Sequence, residues 1–175
     1  MAKKEEILQL LDSWEVLPVT IEEFCKHPES FDILMDIALN STDPKSWRAA
    51  WAADKVHGQM PGLIVPYIEL IINSLEALVS HSKKRHFLKL LSMNKIPEHY
   101  YGFLVDYCIN VLTSSKEPPA VRVHAMQVLY NISEKESGMQ AEIIHIIEHE
   151  MEYHATAAII SRGSRLLKKL RAAQQ

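Results

Sequence analysis

Apolar residues recur along most of this chain at the spacing of three to four residues that marks one face of a helix. In the segment from Phe31 to Leu39, for example, Leu34, Met35 and Ala38 fall on the same side as Phe31. Short polar or proline-containing breaks separate such segments, and no segment shows the strict alternation of a half-buried strand. We therefore predict helices throughout.

The breaks divide the chain into a short N-terminal part and four helix pairs. The pattern predicts capping helices over residues 1–29 and helix pairs over residues 30–57, 63–94, 97–133 and 138–172, together forming a single domain over 1–175. The first helix is expected over Lys4–Ser13, with an apolar side of Ile7, Leu8, Leu10, Leu11 and Trp14. A capping-box pattern at Thr20-Ile-Glu-Glu23 predicts that the next helix begins at Thr20. Pro66 either begins a helix or kinks one.

Four arginines recur through these pairs at nearly constant spacing. Arg48, Arg85, Arg122 and Arg162 follow one another after 37, 37 and 40 residues, and each lies early in the second helix of its pair. A period of this length is typical of stacked supersecondary units, in which each unit covers the apolar face of its neighbour. We call these four residues the arginine row.

The segment Pro119-Ala-Val-Arg-Val-His-Ala-Met-Gln-Val-Leu-Tyr-Asn-Ile132 resembles the second helix of a HEAT repeat, with its proline entry, Val-Arg pair and following small residue. Residues 43–53 are similar, and residues 82–91 and 161–170 keep the arginine with a looser match. The resemblance, which covers residues from 30 to 172, implies an all-α, right-handed α-solenoid (superhelix) of about four to five antiparallel HEAT-like, armadillo-type hairpins. HEAT proteins are interaction scaffolds without a shared catalytic site, so the resemblance implies a protein partner rather than a reaction.

Two roles are open for the arginine row. In a structural role, each guanidinium would donate to carbonyl oxygens at the end of a neighbouring hairpin, or pair with an acid such as Asp43. In a binding role, the row would form a basic ridge on the groove of the second helices, together with Lys83, His86 and Lys89. The candidate partner-binding residues are Arg48, Lys84, Arg85, Arg122, His124, Arg162 and Tyr100.

Charge is distributed unevenly along the chain. The net charge is -3, yet residues 5–43 carry ten acids against the single base Lys26, whereas residues 155–175 carry five bases and no acid. The basic C-terminal helix either provides the polar outer face of the last repeat or lies on nucleic acid or an anionic membrane. Nucleic-acid binding is the alternative function, since alkylation-repair glycosylases are also built from HEAT-like repeats; the acidic first third argues against it.

A remote alternative is a zinc-dependent hydrolase. His145-Ile-Ile-Glu-His149 matches a zinc-peptidase pattern that places two imidazoles on adjacent turns of a helix. Such chemistry needs a third protein ligand and a cleft for an activated water. The nearest acid on the same face is Glu152, so His145 and His149 are weak metal candidates, and we predict a solvated face and no cofactor.

The remaining features point to an ordinary intracellular protein. Cys25 and Cys108 lack metal or redox spacing and are expected to be buried free thiols. The first residues carry charges where a secretion signal needs an apolar run, so we expect a cytoplasmic protein, and no apolar run would span a membrane. Glycine-rich phosphate loops and Cys-x-x-Cys pairs are missing from the sequence, which gives enzyme function no support. We expect a monomer or a weak dimer.

Overall fold

The computed structural model describes residues 2–12 and 17–172, and all the regular secondary structure within these ranges is helical. The predicted all-α fold is therefore confirmed. The α-helices are α1 (Ala2–Leu10), α2 (Leu17–Lys26), α3 (Phe31–Asn40), α4 (Trp47–His57), α5 (Ile68–Ser74), α6 (His81–Met93), α7 (Tyr101–Thr113), α8 (Pro119–Ser133), α9 (Gln140–Tyr153) and α10 (Ala157–Ala172).

The chain divides into two compact units, residues 1–90 and residues 91–175. In the first unit, α4 packs against both α2 and α3. In the second unit, α7 packs against α8, and α10 packs against both α8 and α9. The second helices of successive pairs, α8 and α10, are thus direct neighbours, which is the packing that a solenoid of helical hairpins requires.

Small side chains allow the close packing of α4 in the first unit. Ala49, Ala50, Ala52 and Ala53 are all fully buried, so α3 and α4 approach each other closely. Large side chains of α3, among them Phe31, Leu34 and Met35, are buried as well.

Most helix boundaries lie within a few residues of the predicted ones, but the predicted start at Thr20 is wrong. Helix α2 begins at Leu17, and Thr20 lies inside it with 1% of its surface exposed. Pro18 occupies the first turn, where its missing N–H needs no partner, so the helix begins before the capping-box residues. Trp14, predicted on the apolar side of the first helix, lies outside the described residues.

Prolines mark the entries to several helices. A 3₁₀ segment over Pro61–Tyr67 contains Pro66 and leads directly into α5. A second 3₁₀ segment over Pro44–Ser46 leads into α4, and the Asp43 side chain caps it by accepting a hydrogen bond of 2.7 Å from the Lys45 amide. Pro66 thus precedes the α-helical part of its pair and does not kink it.

Gly163 provides close contact between α9 and α10. A β-carbon at this position would lie 2.9 Å from Met151 Cγ and 3.1 Å from Ile147 Cγ2. Glycine costs about 1 kcal/mol relative to alanine inside a helix, and its presence here is explained by the approach of α9.

The two cysteines differ in burial. Cys108 is fully buried in α7, as predicted, and burial raises the pKa of its thiol well above the usual range. Cys25 is half-buried, which corrects the prediction for it, and its Sγ lies 3.5 Å from Gln59 Oε1.

Candidate functional site

Arg48 lies at the second position of α4 and is engaged inside the first unit. Its Nη1 donates to the carbonyl oxygens of Leu11, at 2.8 Å, and Asp12, at 2.6 Å, which directly follow the last residue of α1. Its side chain is 14% exposed. The carbonyls at a helix end lack intrahelical donors, and a guanidinium can supply two N–H groups in one plane. This geometry corresponds to the structural role.

In α6 the equivalent contact is made by a lysine. Lys83 is 7% exposed, and its Nζ donates to the carbonyl oxygen of Ser41, the C-cap residue that follows α3, at 2.9 Å. Burial lowers the pKa of Lys83. Arg85, which the 37-residue period predicted at this place, is exposed. Two residues turn a helix by about 200°, so Arg85 points away from the contact that Lys83 makes.

Arg122 lies deep inside the second unit and forms a buried ion pair. Its Nε donates to the carbonyl oxygen of Leu112 near the end of α7, at 2.7 Å, and its Nη2 donates to Oε2 of Glu150 in α9. Arg122 is 5% exposed and Glu150 is 1% exposed. The four arginines therefore do not occupy equivalent positions, and Arg122 is not part of an accessible binding surface. The acid that pairs with it is Glu150, while Asp43 serves as a cap.

Arg162 joins the two second helices of the second unit. Its Nη1 donates to Gln127 Oε1 at 2.8 Å, so a half-buried side chain of α10 contacts α8. Burial, together with the neighbouring charge of Arg165, lowers the pKa of Arg162. The Arg162 guanidinium therefore bonds to the side-chain amide of Gln127, whereas the structural role predicted a backbone carbonyl at a helix end.

The other predicted partner-binding residues lie in different places. His124 is half-buried on α8, and Lys84 is half-buried on α6. Tyr100 is half-buried just before α7, with its ring centroid 4.3 Å from that of His99. Tyr100 ends the 3₁₀ turn Glu98–Tyr100 that leads into the first helix of its pair, whereas His124 lies in the second helix.

The exposed face of α10 is basic, and this helix packs against α8. Neither helix contains an acidic residue. Beyond Arg162, α10 exposes Arg165 and Lys169, and Lys169 Nζ lies 5.5 Å from the centroid of the Tyr130 ring in α8. We define the α8–α10 surface by His124, Gln127, Arg162, Arg165 and Lys169.

The first unit contains a buried ionic group that the sequence did not reveal. Asp54 in α4 has 2% of its side chain exposed, and its Oδ2 lies 3.1 Å from His86 Nδ1 and 2.8 Å from Lys89 Nζ, both in α6. Burial alone would raise the pKa of Asp54, but the hydrogen bonds from His86 and Lys89 outweigh it and hold that pKa below its usual range. His86, predicted in the basic ridge, is 3% exposed and joins α4 to α6 instead.

Of the two weak metal candidates, His149 lies in a group of potential metal ligands that does not include His145. His149 Nδ1 lies 3.3 Å from Glu150 Oε1, and His154 Nδ1 lies 3.0 Å from Glu150 Oε2. The donor atoms of these three residues all lie within 4.8 Å of one another. His145 is exposed and outside this group, and the Glu148 side chain pairs with Arg171 in α10.

Comparison with known proteins identifies one family. A family model described as the HEAT repeat domain matches residues 7–170. Neither the curated proteins nor the solved structures contain a significant match. Within the described part of the chain, each helix is too short or too polar to cross a lipid bilayer.

Proposed function

The chain belongs to the HEAT repeat family, and we propose that it is a non-enzymatic scaffold that binds a protein partner through the exposed side of its second helices. Repeats of this kind stack helical hairpins into extended surfaces, and their side chains are available for recognition wherever the stack does not use them internally. The bonding pattern separates these two classes of side chain. Arg48, Lys83 and Arg122 hold helices together, whereas Arg165 and Lys169 face solvent.

The observation that carries the proposal is the composition of the α8–α10 surface. Helix α10 presents cationic side chains beside the Gln127 amide of α8, and neither helix contains an acid. Clustered charge of one sign steers an oppositely charged partner and sets the orientation in which it docks. We therefore propose that the partner presents an acidic segment, with Arg165 and Lys169 as its main contacts.

In the first unit, α6 offers a smaller surface of the same sign, with Arg85 exposed and Lys84 half-buried. We include this α6 surface in the proposal as a second contact for the acidic partner. Arg85 makes no contribution to the internal bonding that Lys83 provides, so a change at Arg85 tests binding without disturbing the contact between α6 and the end of α3.

The test is a charge reversal with a control that changes the net charge equally. Arg165→Glu/Lys169→Glu reverses the α8–α10 surface, and Lys168→Glu/Lys135→Glu reverses two exposed lysines outside it. Each purified full-length protein, checked for folding by circular dichroism, is used to capture proteins from native lysate, and the captured partner is then titrated in purified form. We expect the control to bind like the wild type and the surface variant to bind about tenfold more weakly or worse.

Equal losses in both double variants would show that binding follows net charge, and equal binding by both would place the partner elsewhere. Either result would overturn the proposed surface.

Nucleic acid is a second candidate, because the cationic side chains of α10 also suit a phosphate backbone. The net charge of -3 weighs against it. Titration of a DNA duplex over a series of salt concentrations distinguishes the two functions. Tight binding that falls steeply with salt and is lost in Arg165→Glu/Lys169→Glu would favour nucleic acid over an acidic protein.

A further inference from the structure

We propose that His149, Glu150 and His154 form a binding site for a divalent first-row transition metal ion, with Zn²⁺ as its principal ligand. The site lies in the second unit, at the end of α9, and is independent of the α8–α10 surface proposed above. Two imidazoles and one carboxylate form a donor set that zinc, cobalt and nickel ions accept in proteins.

The donor atoms lie close enough together to surround a single ion after a small movement of the side chains. Zinc binds imidazole nitrogen and carboxylate oxygen at about 2.0–2.2 Å, so neighbouring ligands in a tetrahedral site lie about 3.3–3.5 Å apart. The two imidazole nitrogens lie 3.3 Å and 3.0 Å from the oxygens of Glu150, and all three donors lie within 4.8 Å of one another. Small rotations of the two imidazoles would bring them around one ion.

The carboxylate is already held in place. Glu150 is 1% exposed, and Arg122 donates to its Oε2 from the interior side. Carboxylates that bind metals are commonly oriented by such an outer hydrogen bond, and an oriented ligand loses little freedom when the ion binds. The backbone supports the same arrangement, because the His154 amide donates to the Glu150 carbonyl at 3.1 Å and so fixes the last turn.

The other two donors face solvent and can be reached. The side chains of His149 and His154 are 49% and 42% exposed. The Tyr153 ring lies 4.8 Å from the His149 ring and limits its rotation. The carbonyl end of a helix favours a cation, whereas the charge of Arg122 opposes one, so we expect moderate affinity. Three protein ligands leave a coordination position for water.

This grouping is distinct from the His-x-x-Glu-His pattern in the same helix. That pattern pairs His149 with His145, whereas the geometry pairs it with His154, five residues later. The two assignments share His149, so His145 is the matched control for His154: both are exposed histidines at or near α9.

The test is titration of the full-length protein with Zn²⁺ by calorimetry near neutral pH, repeated for His149→Gln, His154→Gln and His145→Gln. Co²⁺ is used as a second probe, since its visible absorption reports the coordination geometry. We expect the wild type and His145→Gln to bind equally, and His149→Gln and His154→Gln to bind at least about tenfold more weakly, with loss of the tetrahedral Co²⁺ bands. These variants are at exposed positions, so their folding is expected to be intact.

Two outcomes would overturn the proposal. If His145→Gln weakens binding while His154→Gln leaves it unchanged, the metal follows the sequence pattern and not the observed grouping. If all three variants bind Zn²⁺ like the wild type, or the wild type binds none, the two histidines serve Glu150 only as hydrogen-bond partners.

Discussion

Among the described residues, each unit buries one carboxylate beside basic side chains, but the two groups differ in what surrounds that carboxylate. In the first unit, Asp54 contacts His86, which is 3% exposed, and Lys89. In the second unit, Glu150 contacts the buried Arg122 on one side and two half-exposed histidines on the other.

The comparison shows that the exposure of the neighbouring histidines decides whether a buried carboxylate can take part in binding. A carboxylate removed from water is costly unless it is paired and hydrogen-bonded, and both groups meet this requirement. In the first unit His86 is inaccessible, so the group can only join α4 to α6. In the second unit solvent reaches the imidazoles of His149 and His154, as the proposed metal site requires.

The largest expected effect comes from removing the cation of the second group. In Arg122→Met, Glu150 keeps its two histidine contacts but loses the guanidinium that faces it from the interior. Breaking a buried ion pair on one side leaves an uncompensated charge, and we expect a loss of about 3–5 kcal/mol in the free energy of unfolding, measured with urea.

The control for this change is Arg122→Met/Glu150→Met, which removes both charges. Replacement of a buried pair by apolar side chains is often neutral or stabilising, so the double variant should recover much of the loss. If the free energy of unfolding of Arg122→Met falls by less than about 1 kcal/mol, His149 and His154 suffice to stabilise the Glu150 carboxylate. The stability of the second group would then not depend on a buried cation.

A smaller effect is expected in the first group, because Lys89 is partly exposed and water can replace part of its interaction. Asp54→Asn should lower the free energy of unfolding by about 2 kcal/mol at neutral pH. The folded-state pKa of Asp54 is below its ordinary value, so its ionised form stabilises the fold above the unfolded-state pKa of about 3.9, and this contribution is lost as the pH falls through the folded-state pKa.

The melting temperature of the wild type should therefore drop more steeply on acidification below about pH 4 than that of Asp54→Asn. The exposed Asp106→Asn serves as a control that should follow the wild type. Parallel curves for the wild type and Asp54→Asn would mean that Asp54 does not contribute to acid unfolding.

The helices could be predicted because their signal is local. Apolar residues at helical spacing and the prolines at 44 and 119 lie inside the segments that they shape. The start of α2 was missed because the prediction followed the capping-box pattern at Thr20. The helix begins at Leu17, three residues earlier, and Pro18 occupies its first turn.

The ionic groups could not be predicted, because their partners are distant in sequence. Asp54 and His86 are 32 residues apart, and Arg122 and Glu150 are 28 residues apart. They meet only in the folded chain, through side chains that reach from α6 to α4 and through the packing of α8 against α9. An acid within the alanine-rich stretch of α4 is the one local sign that Asp54 needs a buried partner.

The smallest expected effect distinguishes Arg85, which the 37-residue spacing predicts at the structural position, from Lys83, which makes the contact there. Lys83→Met removes the hydrogen bond to the Ser41 carbonyl, which keeps a second donor in Ser46 Oγ at 3.2 Å, so we expect a loss of about 1 kcal/mol in the free energy of unfolding. Arg85 is exposed, and Arg85→Met should change the free energy of unfolding by less than about 0.5 kcal/mol.

Burial lowers the pKa of Lys83, so the folded state releases this proton more readily than the unfolded state. As the pH rises toward about 10, the free energy of unfolding of the wild type should therefore increase relative to that of Lys83→Met. Urea unfolding of both variants at neutral and alkaline pH measures this; a larger loss in Arg85→Met would restore Arg85 to the structural position that its spacing predicts.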